Sequence, residues 1–183
     1  PFRNWCPFCV KGQGRPDLHR SRDKEENRKP VVMLDFAYFN DDGAERGRPV
    51  LVMKDQKSKK VTGIMVPAKD SGKAIALLTR EMKRLGYGSM TWKSDQEPAI
   101  LTLKEKVRKE LGPACDVTME ESPAYSHQSN GEMEQAVQDI KGLVKSTWLS
   151  VEDKYGRKLK EEEDIIPWMI AHVADCRNRF KTG

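Results

Sequence analysis

Residues 31–39 read Val31-Val-Met-Leu-Asp35-Phe-Ala-Tyr-Phe39 and follow Pro30 directly. The run is apolar almost throughout, which is typical of a strand covered on both faces in the middle of a sheet. Asp35 interrupts this run, and a carboxylate in a buried strand is costly unless it is protonated, paired or bound to a cation. Asp35 is therefore either a strand-end residue that accepts backbone hydrogen bonds or a residue with a chemical role. The run by itself leaves both interpretations open.

Segments with strand and helix character follow in an order that predicts an α/β fold. Three strands come first, and helices then alternate with the last two strands, which is typical of a mixed five-stranded sheet flanked by helices. We predict strands over residues 31–39, 50–55, 60–66, 89–95 and 116–119, and helices over residues 72–85 and 98–111, from about residue 130, and from about residue 167. Asp70 or Ser71 is the expected cap of the first helix, and Gly86 supplies its stop signal.

The long third helix is introduced by Tyr125-Ser-His-Gln-Ser-Asn-Gly-Glu-Met-Glu134. Ser129 and Glu132 are three residues apart, the pattern of a capping box, so we predict that the helix begins at about Asn130. The apolar side chains that follow recur at helical spacing and predict a buried face. They are Met133, Val137, Ile140, Val144 and Trp148.

A second stripe of the same helix is polar. It consists of Glu134, Gln138, Lys141 and Lys145. Residues at this spacing lie on one face of a helix. A carboxylate followed by lysines suits a metal ion with a polyanion beside it, but a solvated helix face has the same pattern, and both interpretations stay open at this point.

Composition and charge permit a nucleic-acid partner. The chain has 183 residues, 33% of them charged, and a formal net charge of +5, with a mean hydropathy of −0.74. These values are typical of a soluble protein with one main domain and a small appendage. Residues 1–30 hold eight Lys or Arg against four Asp or Glu, which predicts a basic arm. No apolar run approaches the roughly 18 residues of a membrane span, so we expect no membrane partner.

The cysteines predict half of a metal site. Cys6-Pro-Phe-Cys9 is a close pair, whereas Cys115 and Cys176 stand alone, which is not a disulfide framework and indicates a reducing compartment. Tetrahedral zinc needs two ligands beyond Cys6 and Cys9. We predict Zn²⁺ at this pair, with free surface thiols and redox chemistry as the alternatives. Residues 11–29 are polar and lack periodicity, which is typical of a linker.

Three carboxylates share a chemical pattern. Asp35 lies in the first strand, Asp95 at the end of the fourth, and Glu134 in the first turn of the long helix, and none has an obvious local Lys or Arg partner. Carboxylate ligand sets select Mg²⁺ or Mn²⁺ over zinc. Pairs of such ions serve in-line phosphoryl transfer.

At these residues the chain resembles the catalytic core of retroviral-type integrases, as found in long-terminal-repeat retrotransposons. The resemblance rests on the strand around Asp35, on Trp92-Lys-Ser-Asp95, and on Ser-Pro-Ala-Tyr-Ser-His-Gln-Ser-Asn-Gly131 leading to Glu134. Asp95 and Glu134 are separated by 38 residues, close to the spacing that names the family's motif. The resemblance covers residues 30–183. It implies a ribonuclease H-like fold, in which the three acids hold Mg²⁺ or Mn²⁺ in a two-metal site and catalyse DNA 3′-end processing and strand transfer.

The resemblance also implies DNA-binding residues. Tyr125 and Gln128 match a mobile loop that contacts the DNA end, and Asn130 with the following glycine matches its hinge. Lys141 matches a helix lysine that grips the DNA, and Lys145 joins it by helix spacing. The implied partners are element-end DNA, target DNA and further copies of the chain, and the implied location is the nucleus.

Two domains follow from the same resemblance. Residues 1–29 would be the second half of an N-terminal His-His-Cys-Cys zinc module, containing Cys6 and Cys9, followed by the basic linker, and residues 30–183 would be the catalytic core. Because the chain starts at Pro1 and no counterpart of the family's C-terminal DNA-binding domain is found, we expect it to be part of a longer protein.

Two departures from the family pattern bear on the assignment. Asp95 is followed by Gln-Glu-Pro where many members have Asn-Gly, and a second acid, Glu132, precedes Glu134. Glu132 lies about 160° around the helix from Glu134, so we assign Glu132 to the cap and Glu134 to the metal. A plain nuclease and a domesticated, non-catalytic DNA-binding or assembly module on the same fold are the alternatives.

Overall fold

The computed structural model describes residues 29–39, 47–69, 71–121 and 127–180, with the backbone alone for residues 127–130. The strands and long helices are β1 Val31–Ala37, β2 Val50–Asp55, β3 Val61–Met65, α1 Gly72–Leu85, β4 Ser89–Ser94, α2 Pro98–Leu111, β5 Asp116–Glu121, α3 His127–Tyr155 and α4 Ile165–Phe180. A single 3-10 turn, Gly112–Ala114, follows α2. Cys6, Cys9 and Tyr125 lie outside the described residues, and so do the side chains of Gln128 and Asn130.

The sheet is mixed and has β1 at its centre, as the apolar run predicts. The strand order is β3-β2-β1-β4-β5. The pairs β1–β2 and β2–β3 are antiparallel, whereas β1–β4 and β4–β5 are parallel. The prediction of a mixed five-stranded sheet flanked by helices is confirmed.

Helices cover both faces of the sheet and divide the core in two. Met33 and Ala37 of β1 pack in one cluster with α3 and α4. Val32 and Leu34 point the other way and pack in a second cluster with α1 and α2. This alternation is the period-two geometry of a strand, and it assigns each residue of β1 to one face.

Local capping signals correctly fix the ends of α1 and the start of α2. The Oγ of Ser71 accepts a hydrogen bond from the backbone N–H of Ala74 at 3.2 Å, which makes Ser71 the cap. Gly86 ends α1 in the left-handed conformation with φ of 70°, a backbone state that glycine adopts at little cost. Pro98 occupies the first turn of α2, where its missing N–H leaves no bond unmade.

The predicted start of the long helix is wrong. α3 begins at His127, so Ser129 lies inside the helix and is not its cap. Glu132 pairs instead with Lys54 of β2, whose Nζ lies 3.0 Å from the Glu132 carboxylate and 3.1 Å from its carbonyl oxygen. α3 has 29 residues, yet neither it nor any other helix in the described ranges combines the length and apolar character of a membrane span.

α4 begins at Ile165, two residues before the predicted start, and covers the outer edge of the sheet. The Asn178 side chain accepts a hydrogen bond from Val61 N at 2.8 Å and donates one to Val61 O at 2.7 Å, in the manner of a neighbouring strand. Further along β3, a Cβ on Gly63 would lie only 2.9 Å from Cγ2 of Ile170. The helix therefore lies close against this edge strand.

Candidate active site

Strand alternation places the two aspartates on the face of the sheet that α3 covers. Asp35 is two residues beyond Met33, which packs against α3 and α4. Trp92 of β4 packs on the opposite face with α1 and α2, so Asp95, three residues further on, returns to the α3 face. The period of two thus gives both carboxyl groups the same side.

Strand register places the same residues at one level. Met33 of β1 pairs with Lys93 of β4 in the parallel ladder. Asp35 and Asp95 each come two residues later, and adjacent strands lie about 4.8 Å apart. The two carboxyl groups are therefore neighbours across β1 and β4.

Glu134 of α3 completes a small pocket with these two residues. Its neighbour Met133 is buried in the core below α3, which sets the first turns of the helix over the sheet. The resulting cavity, here called the acid pocket, has a volume of about 160 Å³. It is lined by Met33, Leu34, Asp35, Lys93, Ser94, Asp95, Met133 and Glu134. The structure thus brings together the three acids that the sequence singled out.

Asp35 is held in an environment that disfavours its charge. Burial, followed by the negative charge of Asp95 and then a smaller effect from Glu97, raises the pKa of Asp35 from 3.8 to about 6, against lowering effects from the Phe36 backbone and from Lys69. A carboxyl group destabilised in this way is a common feature of sites that bind cations or transfer protons.

The donor set of the acid pocket fits a hard divalent cation. Asp35, Asp95 and Glu134 offer carboxylate oxygens, which Mg²⁺ and Mn²⁺ prefer, and a cation would relieve the repulsion between Asp35 and Asp95. Within the described ranges, however, no three His, Cys, Asp or Glu residues are gathered closely enough to hold a metal ion. Mutual repulsion favours such separation when carboxylates face one another without a cation.

Glu132 has a different environment from Glu134. Burial alone would raise its pKa, but ion pairs with Lys54 and Lys59 lower it below its usual range. The assignment of different roles to the two acids therefore stands, although Glu132 anchors the helix to the sheet through Lys54 rather than capping it.

A buried lysine that the sequence analysis missed supports the Asp95 turn. Lys104 of α2 is fully buried, and its Nζ donates to the Oγ of Ser94 at 3.0 Å and to the carbonyl of Glu120 at 3.3 Å. Ser94 in turn donates to the carbonyl of Asp95 at 2.9 Å, whose carboxylate accepts the N–H of Glu97 at 3.2 Å. Burial lowers the pKa of Lys104, whereas nearby carboxylates, including Asp95, act in the opposite direction.

The signal for Lys104 was present in the sequence. Ile100, Val107 and Leu111 form the buried face of α2, and Lys104 falls four residues after the first and three before the second. A lysine on an apolar stripe needs partners, but its partners lie on other elements and local spacing does not reveal them.

Lys69 is a second cation that the sequence analysis missed beside the acid pocket. Its Nζ lies 2.5 Å from a carboxylate oxygen of Glu97 and 5.4 and 5.3 Å from the ring centres of Phe36 and Tyr38. These contacts tie the segment before α1 to the Asp95 turn. They also place a positive charge near Asp35.

The predicted DNA-binding residues divide into described and undescribed ones. Lys141 and Lys145 lie on α3 beyond Glu134 and line a second, larger cavity, so the polar stripe is a real face of the helix. The contacts predicted for Tyr125, Gln128 and Asn130, and the zinc site at Cys6 and Cys9, stay predictions.

Comparisons with known proteins agree on the fold. The catalytic core domain of BIV integrase superposes with a TM-score of 0.57 and 17% sequence identity, over 84% of this chain and 86% of that one. The HTLV-2 integrase catalytic core domain, solved in complex with magnesium in a trimeric form, gives a TM-score of 0.58 and 15% identity, over 84% and 87% of the two chains. No family model and no curated protein sequence matches the chain. The structural likeness and the sheet order together show that the chain has the ribonuclease H-like fold of retroviral integrase catalytic cores.

Proposed function

We propose that the chain contains the catalytic core of an integrase of the retroviral or retrotransposon type, which processes DNA 3′ ends and transfers them into target DNA. The observation that carries the proposal is the acid pocket, where Asp35, Asp95 and Glu134 meet from β1, β4 and α3. These are the three acids of the motif that the sequence resembles. They meet in a fold shared with integrase cores.

The proposed cofactor is Mg²⁺ or Mn²⁺, held by Asp35, Asp95 and Glu134. When bound, two such ions activate an attacking oxygen and stabilise a leaving one during phosphoryl transfer. The oxygen donors, the raised pKa of Asp35 and the magnesium complex described for the HTLV-2 domain support this choice. Zn²⁺ at Cys6 and Cys9 is a separate proposal that rests on the cysteine spacing.

The proposed partners are element-end DNA, target DNA and further copies of the chain, acting in the nucleus. Lys141 and Lys145 would contact phosphates beside the acid pocket, and Tyr125, Gln128 and Asn130 would contact the DNA end from the preceding loop. The trimeric form described for the HTLV-2 domain supports oligomerisation. The net charge of +5 suits a polyanionic partner.

A joining assay with labelled duplex DNA and Mn²⁺ tests the proposal. We expect the wild-type chain to nick the duplex near its 3′ end and to join that end to a second duplex. Asp35→Asn, Asp95→Asn and Glu134→Gln should each reduce both steps about a hundredfold or more, because each removes several kcal/mol of charge stabilisation. Glu105→Gln, at an exposed position of α2 on the other face of the sheet, is the matched control and should keep full activity.

The alternatives give different outcomes in the same assay. Metal-dependent nicking without joining would assign a nuclease. DNA binding without either reaction, together with no carboxylate-dependent Mn²⁺ binding by calorimetry, would assign a non-catalytic binding module. Joining that survives both aspartate substitutions would contradict the proposed function and the nuclease alternative alike.

A further inference from the structure

The largest cavity described for the protein lies beside the second half of α3. It has a volume of about 440 Å³, compared with about 160 Å³ for the acid pocket, and falls within the range of small-ligand sites. Phe39, Val144, Trp148 and Leu149 supply its apolar walls. We call it the α3 pocket.

The charged groups of the α3 pocket favour an anion. Lys141, Lys145 and Lys158 line it together with a single acid, Glu152. The Glu152 carboxylate is already engaged, because it accepts hydrogen bonds from Lys158 Nζ at 2.7 Å and from Trp148 Nε1 at 3.0 Å. Three cations therefore stand against one anion.

The same acid orients the aromatic wall. Glu152 also accepts the backbone N–H of Leu159 at 2.9 Å, so it bridges the end of α3 to the segment that follows. Its bond to Trp148 Nε1 restrains the indole ring. A restrained aromatic face loses little conformational entropy when it binds a flat ring.

The α3 pocket is continuous with the acid pocket along one helix face. Lys141 is seven residues beyond Glu134 and Trp148 is fourteen beyond it, which corresponds to about 10 and 20 Å along the axis. A DNA strand in duplex form advances about 3.4 Å per nucleotide. A strand held at the acid pocket therefore reaches Trp148 within about six nucleotides, and an extended single strand reaches it in fewer.

We propose that the α3 pocket binds an unpaired nucleotide of the DNA substrate, with its base against Trp148 and Phe39 and its phosphate near the lysines. This inference rests on the proposed function and adds a substrate feature to it. Aromatic walls with lysines around them are typical of sites for single-stranded nucleic acid. The bases of an intact duplex are stacked inside the helix, so the pocket discriminates a frayed or single-stranded end from a blunt one.

Three DNA probes test the inference by their equilibrium affinity in Ca²⁺-free buffer with EDTA. They are a blunt duplex, the same duplex with an unpaired tail of about four nucleotides, and that tail built from abasic residues. We expect the natural tail to raise wild-type affinity about tenfold over the blunt duplex, because one stacked base contributes about 1–3 kcal/mol. The abasic tail, which keeps the phosphates but lacks the bases, should give little of this gain.

Two tryptophan variants locate the effect. Trp148→Leu should bind the tailed and blunt duplexes with nearly equal affinity. Trp168→Leu is the matched control, since Trp168 is an exposed tryptophan on α4 that stacks on His172, and this variant should keep the tenfold preference. If Trp148→Leu does not fold, Trp148→Phe keeps an aromatic ring and the abasic comparison on the wild type still decides the matter.

Several outcomes would overturn the inference. Equal wild-type affinity for tailed and blunt DNA shows that no base is bound, and an unchanged tail preference in Trp148→Leu places the base elsewhere. Binding of an acidic aromatic peptide that depends on Trp148, with no tail preference, would assign the pocket to a protein partner. Wild-type protein that binds no DNA at all would contradict the proposed function, whereas binding to blunt duplex without a tail preference contradicts this inference alone.

Discussion

Asp35 is a largely buried carboxyl group whose neighbours include other acids. Burial and the charge of Asp95 raise its pKa to about 6, whereas its ordinary value is 3.8. A carboxyl whose folded pKa lies above its unfolded pKa binds a proton more tightly in the folded protein. The charged form of Asp35 therefore opposes folding at neutral pH, and this cost disappears as the pH falls below both values.

Asp35→Asn should stabilise the metal-free protein at pH 7. We expect a gain of about 2 kcal/mol in the free energy of unfolding, because about 1.4 kcal/mol corresponds to each unit of pKa shift. Urea unfolding in EDTA at pH 7 and pH 4 measures it, and the gain should shrink at pH 4, where Asp35 is largely protonated in the folded chain and about half protonated in the unfolded one. A variant less stable than the wild type at pH 7 in EDTA would contradict the prediction. Saturating Mn²⁺ should reverse the order, because only the wild type keeps all three ligands.

Asp55 is a buried carboxylate of the opposite kind. Burial alone would raise its pKa, but hydrogen bonds from Ser58 and Tyr87 and from the backbone lower it below its usual range. The Tyr87 hydroxyl donates to it at 2.7 Å and the N–H groups of Lys57 and Ser58 donate at 3.1 Å each. The stabilisation is therefore present above the ordinary pKa of an aspartate and is lost as the pH falls through the lowered folded value.

Asp55→Asn should destabilise the protein by about 1–3 kcal/mol at pH 7, since the amide replaces one acceptor oxygen with a donor. Thermal or urea unfolding between pH 7 and pH 3 measures the difference. The wild type and the variant should converge at the acid end, where Asp55 loses its charge. A difference that is constant across this range would show that the charge of Asp55 is not the source of the stability.

At the scale of elements, the contact between β3 and α4 depends on a missing side chain. A Cβ on Gly63 would lie 2.9 Å from Cγ2 of Ile170 and 3.7 Å from its backbone oxygen. The first distance is shorter than a normal contact between carbon atoms. The closeness of the helix to the edge strand is thus set by a glycine.

Gly63→Ala should destabilise the protein by about 1–3 kcal/mol through overpacking. Ile170→Leu removes the Cγ2 branch, so the double variant should recover part of the loss. Unfolding free energies of the four proteins in a double-mutant cycle measure the coupling. Strictly additive effects would show that the two side chains do not compete for space.

Most of the secondary structure could be predicted because its signals are local. Ser71, Gly86 and Pro98 act within one turn of the positions they mark, and the structure places each as expected. The start of α3 could not be predicted in this way. Ser129 and Glu132 carry the local pattern of a cap, but Lys54, far away in sequence, binds Glu132 and the helix continues back to His127.

At the scale of the molecule, the positive charge is expected to act on a polyanion. The net charge is +5, and Lys141 lies between the acid pocket and the end of α3. Each phosphate that a lysine neutralises releases counterions, which makes the affinity for DNA depend on salt. The number of phosphates contacted can therefore be measured.

Lys141→Ala should weaken DNA binding and reduce the slope of log affinity against log salt by about 0.9, the value for one duplex phosphate. Fluorescence anisotropy over a salt series measures the slope. Lys109→Ala, at an exposed position of α2 on the opposite face of the sheet, is the control and should leave the slope unchanged. An unchanged slope for Lys141→Ala would return this lysine to the solvated face of the helix.

The acids of the candidate site could be predicted, whereas their surroundings could not. Asp35, Asp95 and Glu134 each interrupt or follow a recognisable local pattern, and strand parity gives the first two a common face. Lys104 and the α3 pocket depend on contacts between separate elements. Phe39 and Trp148, for example, line one cavity although no spacing rule relates them.

The ion pair between Lys54 and Glu132 also governs how α3 is turned about its own axis. Two of the three acids are placed directly by neighbouring strands, but the third sits on a cylinder that is free to roll until something stops it. Side-chain atoms lie about 5–6 Å from a helix axis, so a roll of about 30° would sweep the Glu134 carboxylate through about 3 Å. Lys54 grips α3 at both a carboxylate and a carbonyl oxygen. A residue outside the lining of the acid pocket thereby sets the bearing of its third ligand.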